Sequence, residues 1–193
     1  MKEVLQKIVQ DPQIEAQWLN TLSLLEFIGA RKIGKTVAQK HPSLEVLRHH
    51  ADETRHAFVF KNLSHHLSGR DDLGYLSSEA AVHYFQSLDR FVSEWVTQQI
   101  ARFSSSKEDP YQNYLFVTCL IERRAMKLYP LYKSLTPHEK IREALHEVIL
   151  EEAGHRDTIE QEVAKSLLTF NTDLRDCVEK EEALFREFVS GIF

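Results

Sequence analysis

Two Glu-x-x-His motifs, Glu53-x-x-His56 and Glu152-x-x-His155, constrain this chain more than any other feature of its sequence. Both lie in stretches rich in Leu, Ala, Glu and Lys, residues that favour helices. Residues three positions apart share one face of a helix, so each motif brings a carboxylate and an imidazole close together. Because such groups are costly to bury alone, the fold has to provide each pair with partners.

Helical periodicity predicts that both motifs face the interior, because apolar residues recur at steps of three or four on either side of them. The first inward stripe consists of Val46, His49, Glu53, His56, Phe60, Leu63 and Leu67. The second consists of Ile141, Leu145, Val148, Glu152, His155, Ile159 and Val163. Two further apolar stripes each contain a single glutamate, Glu26 near the N-terminus and Glu122 in a later segment. Four helices are therefore predicted to carry inward carboxylates.

A third Glu-x-x-His, Glu143-x-x-His146, shows that the motif alone is a weak signal. At about 100° per residue it lies half a turn out of phase with Glu152 on the same predicted helix. The periodicity therefore predicts that Glu143 and His146 face solvent when Glu152 and His155 face the interior.

The composition predicts an all-α fold in a single domain spanning 1–193. Only 6 Gly and 5 Pro occur in 193 residues, and alternating β-branched runs are scarce. After a short amphipathic arm, the turn signals predict helices at about 13–40, 42–68, 78–103, 110–134, 137–168 and 173–190. Thr136 and Glu139 have the spacing of a capping box, which predicts Thr136 as the N-cap of the helix at 137–168.

The remaining composition argues against several classes of protein. A formal net charge of −5 gives no sign of a nucleic-acid partner, since such proteins carry clustered Lys and Arg. Cys119 and Cys177 are too few for a disulfide framework, and the N-terminal residues lack the apolar core of a signal peptide. No apolar run of about 18 residues is present, so no membrane span is predicted. We therefore expect a cytoplasmic protein.

Four carboxylates and two imidazoles on inward helix faces predict a site for two divalent cations. Each residue alone is equally well explained by a hydrogen bond or an ion pair in an ordinary bundle, but their common phase on four helices favours metal. The four negative charges balance two dications, and oxygen and imidazole donors suit iron or manganese better than a thiolate-seeking metal. The predicted ligands are Glu26, Glu53, His56, Glu122, Glu152 and His155.

This set of residues resembles that of the ferritin-like di-iron carboxylate superfamily, in particular its oxidase and hydroxylase members. There, a four-helix bundle contributes one Glu from each of two helices and Glu-x-x-His from each of the other two. The order along this chain is the same, over roughly residues 13–168. The resemblance implies that the helix at 78–103 is a crossover helix and that the helix at 173–190 is an extra C-terminal one. It also implies that the first and fourth core helices run in one direction and the second and third in the opposite direction. Finally, it implies that two iron ions are bound, with manganese or a mixed Mn/Fe pair as alternatives.

Acidic residues next to the motifs are candidates for supporting the ligands. A metal-bound His usually donates its other ring N–H to a carboxylate, and Asp52 and Glu151 each precede a motif glutamate. We expect Asp52 to orient His155 and Glu151 to orient His56, with a solvated acid as the alternative in each case.

One layer of side chains beside the predicted ligands is smaller and more polar than the layer on the other side. The first layer consists of Gly29, His49, Cys119 and Ile159, and the second of Leu22, Phe60, Met126 and Val148. We expect oxidant and substrate to approach from the first layer. His49, one turn before Glu53, is either a further ligand or a histidine at the edge of the core.

A centre of this kind reacts with dioxygen or peroxide. The resemblance therefore implies an enzyme, a di-iron oxidase or monooxygenase that acts on a small organic substrate and takes electrons from a donor. The alternatives are a ferritin- or rubrerythrin-like protein that oxidises iron or removes peroxide, and a non-catalytic metal-binding bundle. The expected partners are dioxygen or peroxide, the substrate and the electron donor, with a homodimer left open.

Overall fold

The computed structural model describes residues 1–37, 41–70, 72–102 and 110–193, and all regular secondary structure within them is α-helical. The helices are α1 (Lys2–Ile8), α2 (Pro12–Val37), α3 (Leu44–Ser68), α4 (Ser78–Ala101), α5 (Pro110–Leu135), α6 (Glu139–Phe170) and α7 (Arg175–Ser190). The predicted helix ends at 40 and 103 lie outside the described residues. The all-α prediction is confirmed for the described part of the chain, and no helix there combines the length and apolarity that crossing a membrane requires.

The ends of α3 follow from its capping residues. The helix begins at Leu44 rather than at 42 because Ser43 forms the N-cap, its Oγ accepting a hydrogen bond from the amide of Val46 at 3.3 Å. It ends at Ser68, where Gly69 follows with a φ of 67°, a left-handed conformation that glycine adopts at little cost.

The capping box predicted for α6 is wrong. The helix begins at Glu139 with His138 as its N-cap, and no side chain caps it. The Thr136 hydroxyl donates instead to Glu15 Oε1 at 2.5 Å, and Tyr132 donates to the same oxygen at 3.0 Å. The Glu15 side chain is fully buried, and a buried carboxylate without donors costs more than an exposed helix end without a cap. These bonds fasten the start of α2 to the end of α5.

Side-chain hydrogen bonds fix the direction of α3 relative to α2. Ser64 Oγ donates to the Ala16 carbonyl, and Ser23 Oγ donates to the Ala57 carbonyl, each at 2.7 Å. Early residues of α2 thus meet late residues of α3, so the two helices are antiparallel.

The other long helices are oriented by the same kind of contact. Tyr132 binds Glu15 and Tyr129 binds Glu26, so α5 is antiparallel to α2. The contacts between α3 and α6 described below are antiparallel as well. Hence α2 and α6 run one way and α3 and α5 the other, which are the directions expected for the core helices. This packing is compatible with a four-helix bundle that carries additional helices.

α4 and α7 lie outside the four helices that carry the predicted ligands. α4 packs on α5, where Trp95 meets Phe116 edge to face with ring centroids 5.1 Å apart. α7 packs along α4, where Tyr84 donates to the buried Glu181 at 2.8 Å. The two helices together cover one side of α2 and α5, and this side adjoins the site described next.

Candidate metal centre

The six predicted metal ligands lie together between α2, α3, α5 and α6. Five of the six side chains are buried, and the sixth, His155, is 10% exposed. Donor atoms form two overlapping groups, and within each group the atoms lie within 4.8 Å of one another. The His56 group consists of Glu26, Glu53, His56 and Glu152, and the His155 group of His49, Glu53, Glu122 and His155. Either group could hold a metal ion, and Glu53 belongs to both.

In the His56 group the ring nitrogen Nδ1 faces two carboxylates. It lies 2.9 Å from Glu152 Oε1 and 3.8 Å from Glu26 Oε2, and the His56 ring is fully buried. The other oxygen of Glu26 accepts a hydrogen bond from the Tyr129 hydroxyl. One nitrogen and two carboxylates from three helices therefore surround one small volume.

In the His155 group the central carboxylate is Glu122. Its Oε1 lies 3.1 Å from His49 Nε2 and 3.9 Å from His155 Nδ1. Glu152 Oε2 lies 3.5 Å from the same His155 nitrogen, so the two oxygens of Glu152 face different groups. The two motif glutamates, Glu53 and Glu152, thus stand between the groups.

Four buried polar atoms at this centre have no hydrogen-bond partner among the described residues. They are His56 Nδ1, His155 Nδ1, Glu122 Oε2 and Glu152 Oε2. The close approach of His56 Nδ1 to Glu152 lacks the geometry of a hydrogen bond. An unpaired buried polar group costs about 1–3 kcal/mol, and a charged group costs more. Imidazole nitrogens and carboxylate oxygens aimed at common points are donors that divalent cations take, so these residues fit a metal pair.

Crowding of the carboxylates shifts their protonation. Burial raises the pKa of Glu26 to about 8, and the nearby carboxylate of Glu53 adds to that shift. The pKa of Glu122 is raised well above its ordinary value, by burial first and by Glu152 next. Without cations, the cluster therefore retains protons on carboxylates that would ionise in water.

Two other groups of the centre are held in their charged forms. Burial alone would lower the pKa of His56, but Glu152 and Glu26 outweigh it and raise the value to about 12. Burial also opposes ionisation of Glu152, yet the contacts with Glu122, His155 and His56 hold its pKa well below the ordinary value. Protons on the imidazole and on carboxylates thus occupy the place of cations, and metal binding has to release them.

We expect the stability of the metal-free protein to fall as the pH rises from about 5 to 8. Folded Glu26 keeps its proton up to a pKa of about 8, whereas in the unfolded chain it ionises near 4.5, so the unfolded state binds fewer protons in this range. His56 acts in the same direction above pH 6.5. Bound metal removes both protons, so the increase in melting temperature caused by Co(II) should grow with pH. Calorimetry at several pH values checks this, and an increase that does not vary with pH would contradict it.

The outer nitrogens of both motif histidines contact carboxylates of the facing helix. His155 Nε2 lies 3.0 Å from Asp52 Oδ2, and His56 Nε2 lies 2.7 Å from Glu151 Oε2. These are the two pairs expected from the sequence. Arg55 joins them, because its Nη2 donates to Asp52 at 3.0 Å and to Glu151 at 2.5 Å. Each ring can therefore place its hydrogen on Nε2 and turn an Nδ1 lone pair to the centre.

Replacing Asp52 by Asn, or Glu151 by Gln, is expected to weaken metal binding by about 10- to 100-fold. Burial would raise the pKa of Asp52, but hydrogen bonds from Arg55 and His155 outweigh it and lower the value, so the native group is a carboxylate. The amide is a weaker acceptor and leaves its ring less firmly held. Calorimetric titration with Co(II) measures the loss. Glu147→Gln, an exposed change one turn before Glu151, is the control, and an equal loss there would contradict the assigned role.

Gly29 leaves space for the shared glutamate. A Cβ at Gly29 would lie 2.7 Å from Glu53 Oε2, whereas a Cβ at Gly154, in the middle of α6, would meet nothing within 4 Å beyond its own helix. We expect Gly29→Ala to turn the Glu53 carboxylate away and weaken binding of both ions. Gly154→Ala should leave metal affinity unchanged and raise the free energy of unfolding by up to about 1 kcal/mol. Metal titration measures the affinity of both variants, and urea unfolding measures their free energy of unfolding. Equal metal affinities would show that Gly29 is not needed to make space for Glu53.

A cavity of about 50 Å³ lies against the carboxylates, and all four predicted glutamate ligands line it. We call it the carboxylate-side cavity. Its other walls are mainly apolar, namely Leu22, Leu25, Phe85, Ile121, Ala125, Leu128 and Phe185. A water molecule occupies about 30 Å³ of liquid, so the cavity has room for dioxygen but not for a large molecule in this conformation.

Arg124 and Glu181 hold α7 beside this cavity. The guanidinium donates to both oxygens of Glu181, at 2.8 and 2.6 Å, and lies 4.2 Å from the centre of the Phe185 ring. Tyr84 of α4 donates to the same carboxylate. Because Tyr84, Arg124 and Phe185 all line the cavity, α7 forms part of its wall.

A wider groove of about 350 Å³ lies on the histidine side, between α3 and α6. The sequence predicts one pocket formed by Gly29, His49, Cys119 and Ile159, but the structure does not bring these four together. Gly29 lines the carboxylate-side cavity, His49 and Ile159 line the groove, and the buried Cys119 lines neither. The rings of His49 and His155 contact each other beside the groove, with centroids 4.4 Å apart.

Two tyrosines of α5 contact the centre although the sequence does not single them out for it. Tyr129 donates to Glu26, and Tyr114 Oη lies 2.9 Å from His49 Nδ1. Both lie about two turns from Glu122 on the same face of the helix, which is the signal that the sequence offers. That spacing alone does not distinguish a tyrosine at the site from an aromatic residue of the core.

Comparisons of the chain with protein-family models, with curated proteins and with solved structures give no match. The residues of the centre and their contacts are therefore what indicates its chemistry.

Proposed function

We propose that this protein is a di-iron carboxylate oxidase or monooxygenase, built on a ferritin-like four-helix bundle of α2, α3, α5 and α6. The observation that carries the proposal is the convergence of the six predicted ligands in two groups that share Glu53, with unpaired donor atoms facing inward. Four carboxylates balance the charge of two dications, and a mixture of oxygen and imidazole donors suits iron.

Two iron ions, when bound, would supply the electrons and the Lewis acidity that the reduction of dioxygen requires. The chain supplies the surroundings. Asp52 and Glu151 hold the rings of His155 and His56 in a single tautomer, with Nδ1 facing the centre. The Tyr129 hydroxyl holds one oxygen of Glu26. The walls of the carboxylate-side cavity are mainly apolar, which would lower the polarity around the reacting atoms.

The carboxylate-side cavity favours a small and largely apolar substrate. Its volume of about 50 Å³ accepts dioxygen, and an organic molecule beside it requires side chains of the wall to move. Phe85 of α4 and Phe185 of α7 belong to helices outside the four that carry the ligands, so they can move without displacing the ligands.

Anaerobic loading with Fe(II) followed by oxygen uptake tests this function. We expect two irons per chain and rapid consumption of dioxygen when the loaded protein is mixed with oxygenated buffer and a reductant. Glu53→Ala, which removes the residue common to both groups, should bind fewer than two irons per chain and should not consume dioxygen. If no iron is bound, the proposal of a metal centre is wrong. If iron is bound but no oxygen is consumed, the protein is a metal-binding bundle and the proposed enzyme activity is wrong.

Oxidation of iron itself is a second candidate, and the histidine-side groove favours it. His155 lines this groove together with Glu45, Arg48, Asp52 and Glu151, so an incoming Fe(II) ion can reach the His155 group through it. A protein that oxidises iron would turn over many equivalents of Fe(II) per chain without an organic substrate. The oxidase proposed above would oxidise only its two bound ions.

A further inference from the structure

His49 lies inside the centre but belongs to neither Glu-x-x-His motif. Its side chain is 5% exposed, and its Nε2 lies 3.2 Å from Glu53 Oε1 and 3.1 Å from Glu122 Oε1. A single N–H directed at two carboxylate oxygens at nearly equal distances satisfies only one of them well. A cation bound by all three atoms would satisfy both.

The surroundings of His49 repeat the pattern of the two motif histidines. His56 and His155 each turn Nδ1 to the centre and place Nε2 on an outer carboxylate. His49 has the nitrogens exchanged, since Nε2 faces the centre and Nδ1 lies 2.9 Å from the Tyr114 hydroxyl. With Nε2 on a metal, Nδ1–H would donate to the Tyr114 oxygen, so a polar partner is in place for the ligand tautomer.

We propose that His49 Nε2 is a seventh protein ligand, which makes the two metal positions chemically unequal. One position has two imidazoles, His49 and His155, with Glu53 and Glu122. The other has one imidazole, His56, with three carboxylates. This inference rests on the metal centre of the proposed function and adds the difference between its two halves.

Unequal donors predict unequal metal preference. Imidazole favours the later first-row ions, whereas carboxylate suits Mn(II). Co(II), used as a stand-in for Fe(II), should therefore fill the two-imidazole position first and the carboxylate-rich position second. Mn(II) should bind the carboxylate-rich position in preference, so a chain given both ions should hold one of each.

Adjacent histidines provide a matched pair of variants for the test. His49 and His50 are neighbours on α3, but His50 belongs to neither donor group. Titration with Co(II), followed by its visible absorption and by calorimetry, should show two unequal steps in the wild type. His49→Leu should weaken the tighter step by about 10- to 100-fold and leave the other unchanged, whereas His50→Leu should change neither. Two unaltered steps in a folded His49→Leu variant would overturn the proposal.

A measurement on the unmodified chain guards against a variant that fails to fold. In the Co(II)-loaded wild type, each ligating imidazole contributes one exchangeable N–H proton with a large paramagnetic NMR shift. Signals from His49, His56 and His155 are expected, and signals from His56 and His155 alone would overturn the inference. If only those two signals appear but two Co(II) ions are bound, His49 is not a ligand and the proposed function still holds. A wild type that binds no metal would overturn both.

Discussion

Replacing Glu152 by Gln together with His155 by Ala is expected to abolish tight binding of both metal ions. The double change removes one donor from each group, because Glu152 belongs to the His56 group and His155 to the other. It also removes the negative charge that His56 faces on Glu152 and the imidazole that Glu122 faces on His155. Metal analysis after anaerobic loading with Fe(II) and desalting should fall from two irons per chain towards none.

The same helix supplies the control for that experiment. Glu143→Gln with His146→Ala makes the same chemical change in a Glu-x-x-His motif whose two residues are exposed. This variant should keep two irons per chain and an unchanged melting temperature. Equal iron contents in the two double variants would show that metal is held elsewhere and would contradict the centre described here.

Replacing Glu122 by Gln is expected to make the metal-free protein more stable while it weakens metal binding. The Glu122 side chain is 2% exposed, and its Oε2 has no hydrogen-bond partner. Burial and neighbouring carboxylates raise its pKa well above the ordinary value, so the folded state keeps a proton that the unfolded state releases at neutral pH. An amide of the same shape avoids that cost, and we expect a gain of about 1–3 kcal/mol in the free energy of unfolding near pH 7.

Urea unfolding of the metal-free and Co(II)-loaded proteins measures both effects. Glu122→Gln should be more stable than the wild type without metal, and Co(II) should stabilise it less. Glu143→Gln, an exposed change, should stay within about 0.5 kcal/mol of the wild type under both conditions. A metal-free Glu122→Gln protein that is less stable than the wild type would show that the charge of this carboxylate stabilises the fold, and would contradict the raised pKa described above.

The clustering of the six predicted ligands could be foreseen because phase on a helix is a property of sequence. Glu152-x-x-His155 lies on an apolar stripe and Glu143-x-x-His146 does not, and the structure buries Glu152 while exposing both residues of the other motif. The pairing of Asp52 with His155 was predictable for the same reason, since it follows from antiparallel helices whose motifs lie at one level.

Contacts that depend on how far each helix rotates towards its neighbours could not be predicted. His49 fits the inward stripe either as a ligand or as a core residue, and its contact with Tyr114 depends on how α3 and α5 face each other across the bundle. The predicted pocket residues are distributed in the same way, since Gly29 lines the carboxylate-side cavity while His49 and Ile159 line the groove.

Residues outside the four helices that carry the predicted ligands were the least predictable. The position of α7 depends on the buried pair of Arg124 and Glu181, which are far apart in sequence and are linked only by the fold. A buried ion pair of this kind costs desolvation and is retained where both oxygens of the carboxylate are bonded, as they are here. The sequence alone therefore does not predict which residues form the wall of the carboxylate-side cavity.

Anomalous X-ray diffraction at the iron absorption edge, from crystals loaded anaerobically with Fe(II), would show whether the protein binds a pair of metal ions. Two peaks are expected in the space enclosed by Glu26, Glu53, His56, Glu122, Glu152 and His155. One peak should lie against the His56 group and the other against the His155 group, with Glu53 in contact with both. Anomalous density found only at surface sites such as His146, or none at all in fully loaded crystals, would contradict a di-metal centre in this protein.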